Sequence, residues 1–323
     1  MIHMKTGKKI AATLLLPLLT LAAVWLVCLS KGVALFETQL NMLTFIRSVA
    51  NVSLVTYALS INLNSGRFDF SVGSVALVSS VIGAKIALSL GTGPWAMLFI
   101  SVFFGAFFGF LSGLVYVLVK LPPIIVSLAV ALFYEGLAFT LTGGHGVSFA
   151  GNAELLGFST IPHFLIIIAV SLAFMIVVFD CTKFGFEYRA LLSGQKVSVN
   201  TGIREIPNAL ICYTIAGAFM GGQGFISATT NGTIQMSLNF GSIAPMFMAF
   251  LPMFIGGFIG RYSNDKLGYL LGAVCSALIS LMYVRVDVPS SVQQIISALL
   301  LVGFLIWLNN EGKLKTLFVR KTR

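Results

Sequence analysis

The sequence predicts an all-α, polytopic membrane protein of about ten transmembrane helices with both termini cytoplasmic. Three observations carry this. Of 323 residues, 58% are hydrophobic and only 9% charged, with a mean hydropathy of +0.99, whereas a soluble domain carries roughly 25% charged residues. Residues 10–30, 86–119, 155–179, 206–260 and 288–310 are free of Asp, Glu, Lys and Arg, and about 20 apolar residues cross the hydrocarbon as a helix. When the chain is threaded with its N-terminus inside, sixteen of the twenty Lys and Arg residues fall on the cytoplasmic side, as the positive-inside rule requires. The alternating polarity of a transmembrane barrel is absent.

The elements follow in order. Span 1 covers about 10–30, after Lys5, Lys8 and Lys9. Its apolar run exceeds the h-region of a signal peptide, and Leu26-Val27-Cys28 lacks the small residue a lipid-attachment site needs before its Cys, so span 1 is expected to remain uncleaved. Span 2 covers 43–62 and span 3 covers 71–90, ended by Gly91-Thr92-Gly93-Pro94. Span 4 (95–119) precedes span 5 (122–142), which opens with Pro122-Pro123 where proline is tolerated. Span 6 covers 160–179. A polar segment, 180–207, separates it from spans 7 and 8, which divide 208–260 around a polar stretch near Asn231–Gly241. Spans 9 (267–284) and 10 (290–309) complete one membrane domain over 1–323.

The net charge of +10 does not indicate nucleic-acid binding, because the basic residues are scattered between spans. Cys28, Cys181, Cys212 and Cys275 show no C-x-x-C spacing and suggest neither disulfide nor metal site. Gly105, Gly109 and Gly113 in span 4, and Gly268, Gly272, Ser276 and Ser280 in span 9, recur every four residues. Such ladders let helices approach closely in a bilayer, either within the chain or between subunits.

Five places carry candidate chemistry or docking. The segment 180–207 mixes apolar and charged residues as a short interfacial helix does, with Gly194 placed to stop one helix and Gly202 a second. Phe186, Ala190 and Leu191 are available to dock in a soluble partner's groove; the alternative is a loop that snorkels its basic residues to headgroups. Arg67-Phe68-Asp69-Phe70-Ser71 is a charged island between two spans, in which Asp69 or Ser71 caps span 3 or forms the inner mouth of a pathway. Glu135, inside span 5, must find a partner, a cavity or a proton. Arg47 and Asn51 share a face of span 2 at i, i+4 and either line a pathway or pair with Glu135. His145 and Glu154 belong to an outer loop, 143–158, suited to docking an external protein. The chain contains no G-x-x-x-x-G-K-[ST], H-E-x-x-H or G-x-S-x-G motif, so it has neither a P-loop nor the signature of a membrane hydrolase.

Two of these places resemble the ribose-type permeases of ATP-binding-cassette (ABC) importers. Asp69-Phe70-Ser71-Val72-Gly73-Ser74 is similar to that family's Asp-Leu-Ser-Val-Gly-Ser. Phe184-Gly185 and Ala190 match, in order and spacing, its Phe-Gly-Arg-x-x-Tyr-Ala-x-Gly segment, Gly194 follows two residues beyond that segment's last glycine, and Gly202-Ile203 matches the Gly-Ile that ends it. The departures mark a divergent member. Ser65-Gly66-Arg67-Phe68-Asp69 stands where the family has two glycines before Ile-Asp-Leu, and only Gly256-Gly257 and Gly260 remain of a longer glycine segment. The resemblance implies a permease subunit that moves a small polar solute, a sugar above all, across the bacterial inner membrane by alternating access. It implies that Phe184, Gly185, Glu187, Arg189, Ala190, Gly194, Gly202 and Ile203 form the segment gripped by a separate ATPase, which uses the ATP and Mg. Arg47, Asn51, Asp69, Ser71 and Glu135 are the pathway candidates. No catalytic residue, metal or cofactor of the chain's own is expected. Its implied partners are two cytoplasmic ATPases, a second permease copy in a homo- or heterodimer, and an extracytoplasmic solute-binding protein. A proton-coupled secondary transporter using Asp69 or Glu135 is the reading from another class.

Overall fold

The computed structural model describes residues 6–320; Lys5, Lys321 and Arg323, which enter the charge asymmetry, lie outside them. The elements in chain order are α1 (Thr6–Ser30), α2 (Gln39–Asn64), α3 (Val72–Leu90), α4 (Pro94–Val119), α5 (Pro123–Thr142), β1 (Val147–Ser148), α6 (Ala153–Leu156) and α7 (Ile161–Ile176). One turn of π-helix (Val177–Cys181) extends α7. There follow α8 (Lys183–Ser193), α9 (Gln195–Asn200), α10 (Glu205–Asn231), β2 (Thr233–Ile234), α11 (Ala244–Phe247), α12 (Phe250–Gly260), α13 (Asp265–Arg285) and α14 (Ser290–Arg320).

Among the described residues nine helices are long and apolar enough to cross a membrane, and they match nine of the expected spans. Span 8 differs. Its apolar helix covers only Ala244–Gly260 and is interrupted between α11 and α12. The residues before it, 235–243, form no helix, and Asn239 and Phe240 are both left-handed, at φ 56° and 66°. That conformation costs a side-chain-bearing residue free energy, so tertiary contacts must hold it.

The chain forms two compact units: one of residues up to Glu37 together with Phe250 onward, the other of Thr38–Ala249. In the first, α12 and α13 pack backbone to backbone. A Cβ on Gly268 would overlap the Gly256 carbonyl, and one on Gly272 the Pro252 carbonyl. Leu251, Ile255, Ile259 and Cys275 form the core, with Leu16, Leu271, Leu301 and Phe304 packed against it. Arg285, at the end of α13, donates to the Ala34 carbonyl (2.8 Å) and pairs with Glu37.

In the second unit α4 and α10 form the tightest seam. A Cβ on Gly105 would strike the Gly217 carbonyl, one on Gly109 the Tyr213 carbonyl, and one on Gly113 the Tyr213 ring. Gly217 and Gly221 face back onto Gly105 and Ser101 in the same way. The glycines of both ladders are thus used inside the chain, where close backbone approach maximises dispersion contact in a solvent that gives no hydrophobic drive. At one end of the unit, β1 and β2 pair antiparallel (Val147 with Ile234, Ser148 with Thr233) and tie the end of α5 to the end of α10.

Candidate functional site

The segment 180–207 is built as two short helices, as its glycines predict. Thr182 starts α8, its Oγ1 accepting from the Gly185 amide at 3.3 Å. Gly185 has to be small, because a Cβ there would overlap the Phe179 carbonyl. Phe184 and Tyr188 close on Phe179, at centroid distances of 5.4 and 5.0 Å. Arg189 pairs with Asp180 at 2.9 Å and lies over the Phe186 ring at 4.7 Å, while Glu187 pairs with Lys183 at 3.7 Å. Helix α8 stops at Gly194. Ser198 Oγ then donates to the Ala190 carbonyl (2.8 Å), folding α9 back onto α8. Gly202, at φ 94°, turns the chain, and the Ile203 amide returns to the Ser198 carbonyl at 3.1 Å.

The surface this leaves is apolar. Phe186 is 60% and Val197 69% exposed, and Leu192 and Val199 are exposed with them. Leu191, expected to be free for docking, is buried, because α8 turns that face toward the bundle. Two links join this segment to the membrane helices. Tyr188 Oη donates to the Ile61 carbonyl in the last turn of α2 (2.9 Å). Glu205, at the start of α10, accepts from Gln195 Nε2 (2.6 Å) and stands 4.0 Å from the buried Arg67 guanidinium.

Arg67 opens the second cluster, the loop 65–71, in which Arg67, Asp69 and Ser71 are buried. Asp69 Oδ1 accepts from the Ser71 amide (2.9 Å) and Ser71 Oγ (2.6 Å), and Oδ2 from Asn62 Nδ2 (3.2 Å). The expected helix cap is therefore a brace of the turn: Asp69 holds residue 71, and Ser71 makes no side-chain cap to α3. Ser71 Oγ lies 3.3 Å from Ser112 Oγ, which lies 3.2 Å from Tyr134 Oη. Burial pushes the Asp69 carboxyl above the usual carboxylate range, against the hydrogen bonds from Ser71 and Asn62 that lower it.

Glu135, the residue after Tyr134, is 1% exposed. It does not pair with Arg47. Its Oε2 accepts from the Phe240 amide (3.0 Å), and its Oε1 from the Ser242 amide (2.8 Å) and Ser242 Oγ (2.5 Å). Asn51 joins a different group, its Oδ1 accepting from Gln223 Nε2 (3.1 Å) and Ser227 Oγ (3.2 Å) of α10. Arg47, one turn earlier, is half-buried. The structure thus joins Asp69 and Ser71 through Ser112 to Tyr134, beside Glu135, and leaves Arg47 and Asn51 apart. Asn62, Ser112, Tyr188, Gln223 and Ser242 escaped sequence reading. The available signal was a polar side chain inside an apolar run, and Ser112 and Gln223 both show it.

The chain is a bundle of membrane-length apolar helices that carries an exposed, apolar-faced helical hairpin tied to it. The family model for the branched-chain amino acid transport system / permease component matches residues 41–305, and the chain belongs to that family. Known relatives include the ribose import permease protein of Bacillus subtilis, 26% identical over 188 residues. That match covers 56% of this chain and 58% of the relative. The autoinducer 2 import system permease protein of Salmonella typhi is 23% identical over 92% of this chain and 86% of its own length. The fructose import permease protein of Bifidobacterium longum is 25% identical over 82% and 81%. A solved structure of a metal-chelate type ABC transporter in an inward-facing conformation aligns with a TM-score of 0.51 at 18% identity, over 94% of this chain and 99% of that one. It shares the fold.

Proposed function

We propose that this permease is the membrane subunit of an ABC importer for a small neutral, hydroxyl-rich solute of the sugar class. It works in the bacterial inner membrane as one of two permease copies, receiving cargo from an extracytoplasmic binding protein. ATP and Mg are used by cytoplasmic partner subunits. The observation that carries the coupling is the bond from Tyr188 Oη to the Ile61 carbonyl. It ties the exposed hairpin, with Phe186 and Val197 outward, to the last turn of α2 and hence to the Asp69 loop. A force on α8 from an ATPase is thereby passed to the membrane helices, since a buried hydrogen bond and packed rings transmit displacement where a solvated loop would not. A sugar cargo is supported by the three relatives named above, whose names specify ribose, autoinducer 2 and fructose. These relatives are import permeases, which disfavours a stand-alone proton-coupled carrier.

The test begins with gentle-detergent purification from the native membrane and mass spectrometry of the partners. A P-loop ATPase in equal copies is expected. Proteoliposomes of that complex should then take up labelled ribose or fructose with ATP inside, and leucine far more slowly. A permease that purifies without an ATPase and transports on a proton gradient would overturn the reading.

A further inference from the structure

Residues 235–243 are the part of the second unit that spanning-helix logic does not explain. They leave β2, which pairs with β1 just beyond the end of α5, and enter the bundle. Glu135 shows how deep they go: it lies seven residues, about 10 Å at 1.5 Å per residue, inside the end of α5 at Thr142. At that depth it accepts the Phe240 and Ser242 amides and the Ser242 hydroxyl. On the other side a Cβ on Gly73, at the start of α3, would overlap the Ser242 carbonyl, and Phe247 meets Phe70 at 5.7 Å. The segment is clamped from two helices, and Ser242 and Ile243 are buried at 8% and 5%.

Its other face is open. Leu238 and Phe240 are 43% and 39% exposed, and Asn239 is exposed with them. Non-helical backbone at membrane depth is tolerated only where it is buried in protein or borders water, because lipid satisfies no peptide group. Two consecutive left-handed residues are also retained only where surroundings over-determine them. We infer that Leu238, Asn239 and Phe240 line the water-filled cargo path, with Glu135 as the positioning residue that holds them there. The path-lining role expected of Glu135 passes to the backbone it binds; the carboxylate itself is sealed off. This inference rests on the permease reading.

The test is cysteine accessibility in the intact permease–ATPase complex. Cys181, the exposed thiol, is replaced by Ser; Cys28, Cys212 and Cys275 are buried and stay. Single cysteines are placed at 238, 239 and 240, at buried Ile243, and at Phe99, which is 69% exposed on the apolar surface of α4. The probe is a charged methanethiosulfonate, which reacts only where water reaches. The substitutions at 238–240 should react at least tenfold faster than those at 243 and 99. Their rates should differ at least tenfold between nucleotide-free and ADP-vanadate-trapped complex, as a static outer loop's would not. In Glu135→Ala the protected position 243 should become as reactive as 239, and Glu135→Gln, which keeps one acceptor oxygen, should fall between. If Glu135→Ala does not assemble, the probes in the parent background still decide. Rates at 238–240 no faster than at 243 in every state, as a covering second copy would produce, would overturn the inference. If the complex still hydrolyses ATP and transports, the permease reading survives that result; absence of any ATPase removes the reading itself.

Discussion

Replacing Tyr188 by Phe removes one oxygen and leaves the ring in place against Phe179 and Phe184. The lost bond is a single buried hydroxyl-to-carbonyl hydrogen bond of 2.9 Å, worth about 0.5–1.5 kcal/mol net. The upper figure does not apply, because the Ile61 carbonyl keeps a second donor, Ser65 Oγ at 3.1 Å, and is not left unsatisfied. About 1 kcal/mol remains, which corresponds to roughly a fivefold change in an equilibrium. If Tyr188 transmits force, that loss falls on the coupling step. Tyr188→Phe should raise the ATP hydrolysed per sugar delivered in proteoliposomes by about fivefold, with the ATPase still bound. Tyr188→Ala also empties a buried ring site, at about 3–5 kcal/mol, and should fail to assemble. Unchanged ATP per sugar in Tyr188→Phe would refute the reasoning and reduce Tyr188 to a packing residue.

Other predictions follow from the same geometry. Gly109→Leu drives a side chain into the Tyr213 carbonyl and the Gly217 backbone, where no flexible atom can yield. It should destabilise the detergent-solubilised permease by more than about 3 kcal/mol by thermal unfolding, whereas Gly136→Ala, facing open space, should be neutral or slightly stabilising. Asp69 supplies a pH signature. Its carboxyl is raised in the folded state by burial, so the folded protein holds the proton more tightly than the unfolded chain. Its contribution is fully present below the ordinary value of 3.8 and is lost as pH rises through the folded value. Asp69→Asn should flatten that fall in a series of melting temperatures across pH; an unchanged slope would assign it to another group.

Nine of the ten spans, and the positions where α8 and α9 end, were legible in the sequence alone. Apolar run length is set by the bilayer, and Gly202, at φ 94°, turns the chain just after α9 through local backbone preference. Glu135 was also recognisable as a buried acid, since a lone carboxylate in an apolar run has few alternatives. Its partner was not recognisable. The acid binds backbone amides 105 and 107 residues away, and amides carry no residue identity for a sequence to display. For the same reason span 8 reads as a helix in composition. Its interruption between α11 and α12 is not legible there, nor is the left-handed pair in the polar stretch before it, Asn239 and Phe240, stabilised only once α5 and α3 close on it. Likewise a glycine every fourth residue announces close packing but not the partner. Tertiary structure alone could place α10 against α4 and α12 against α13, because those contacts are between backbones.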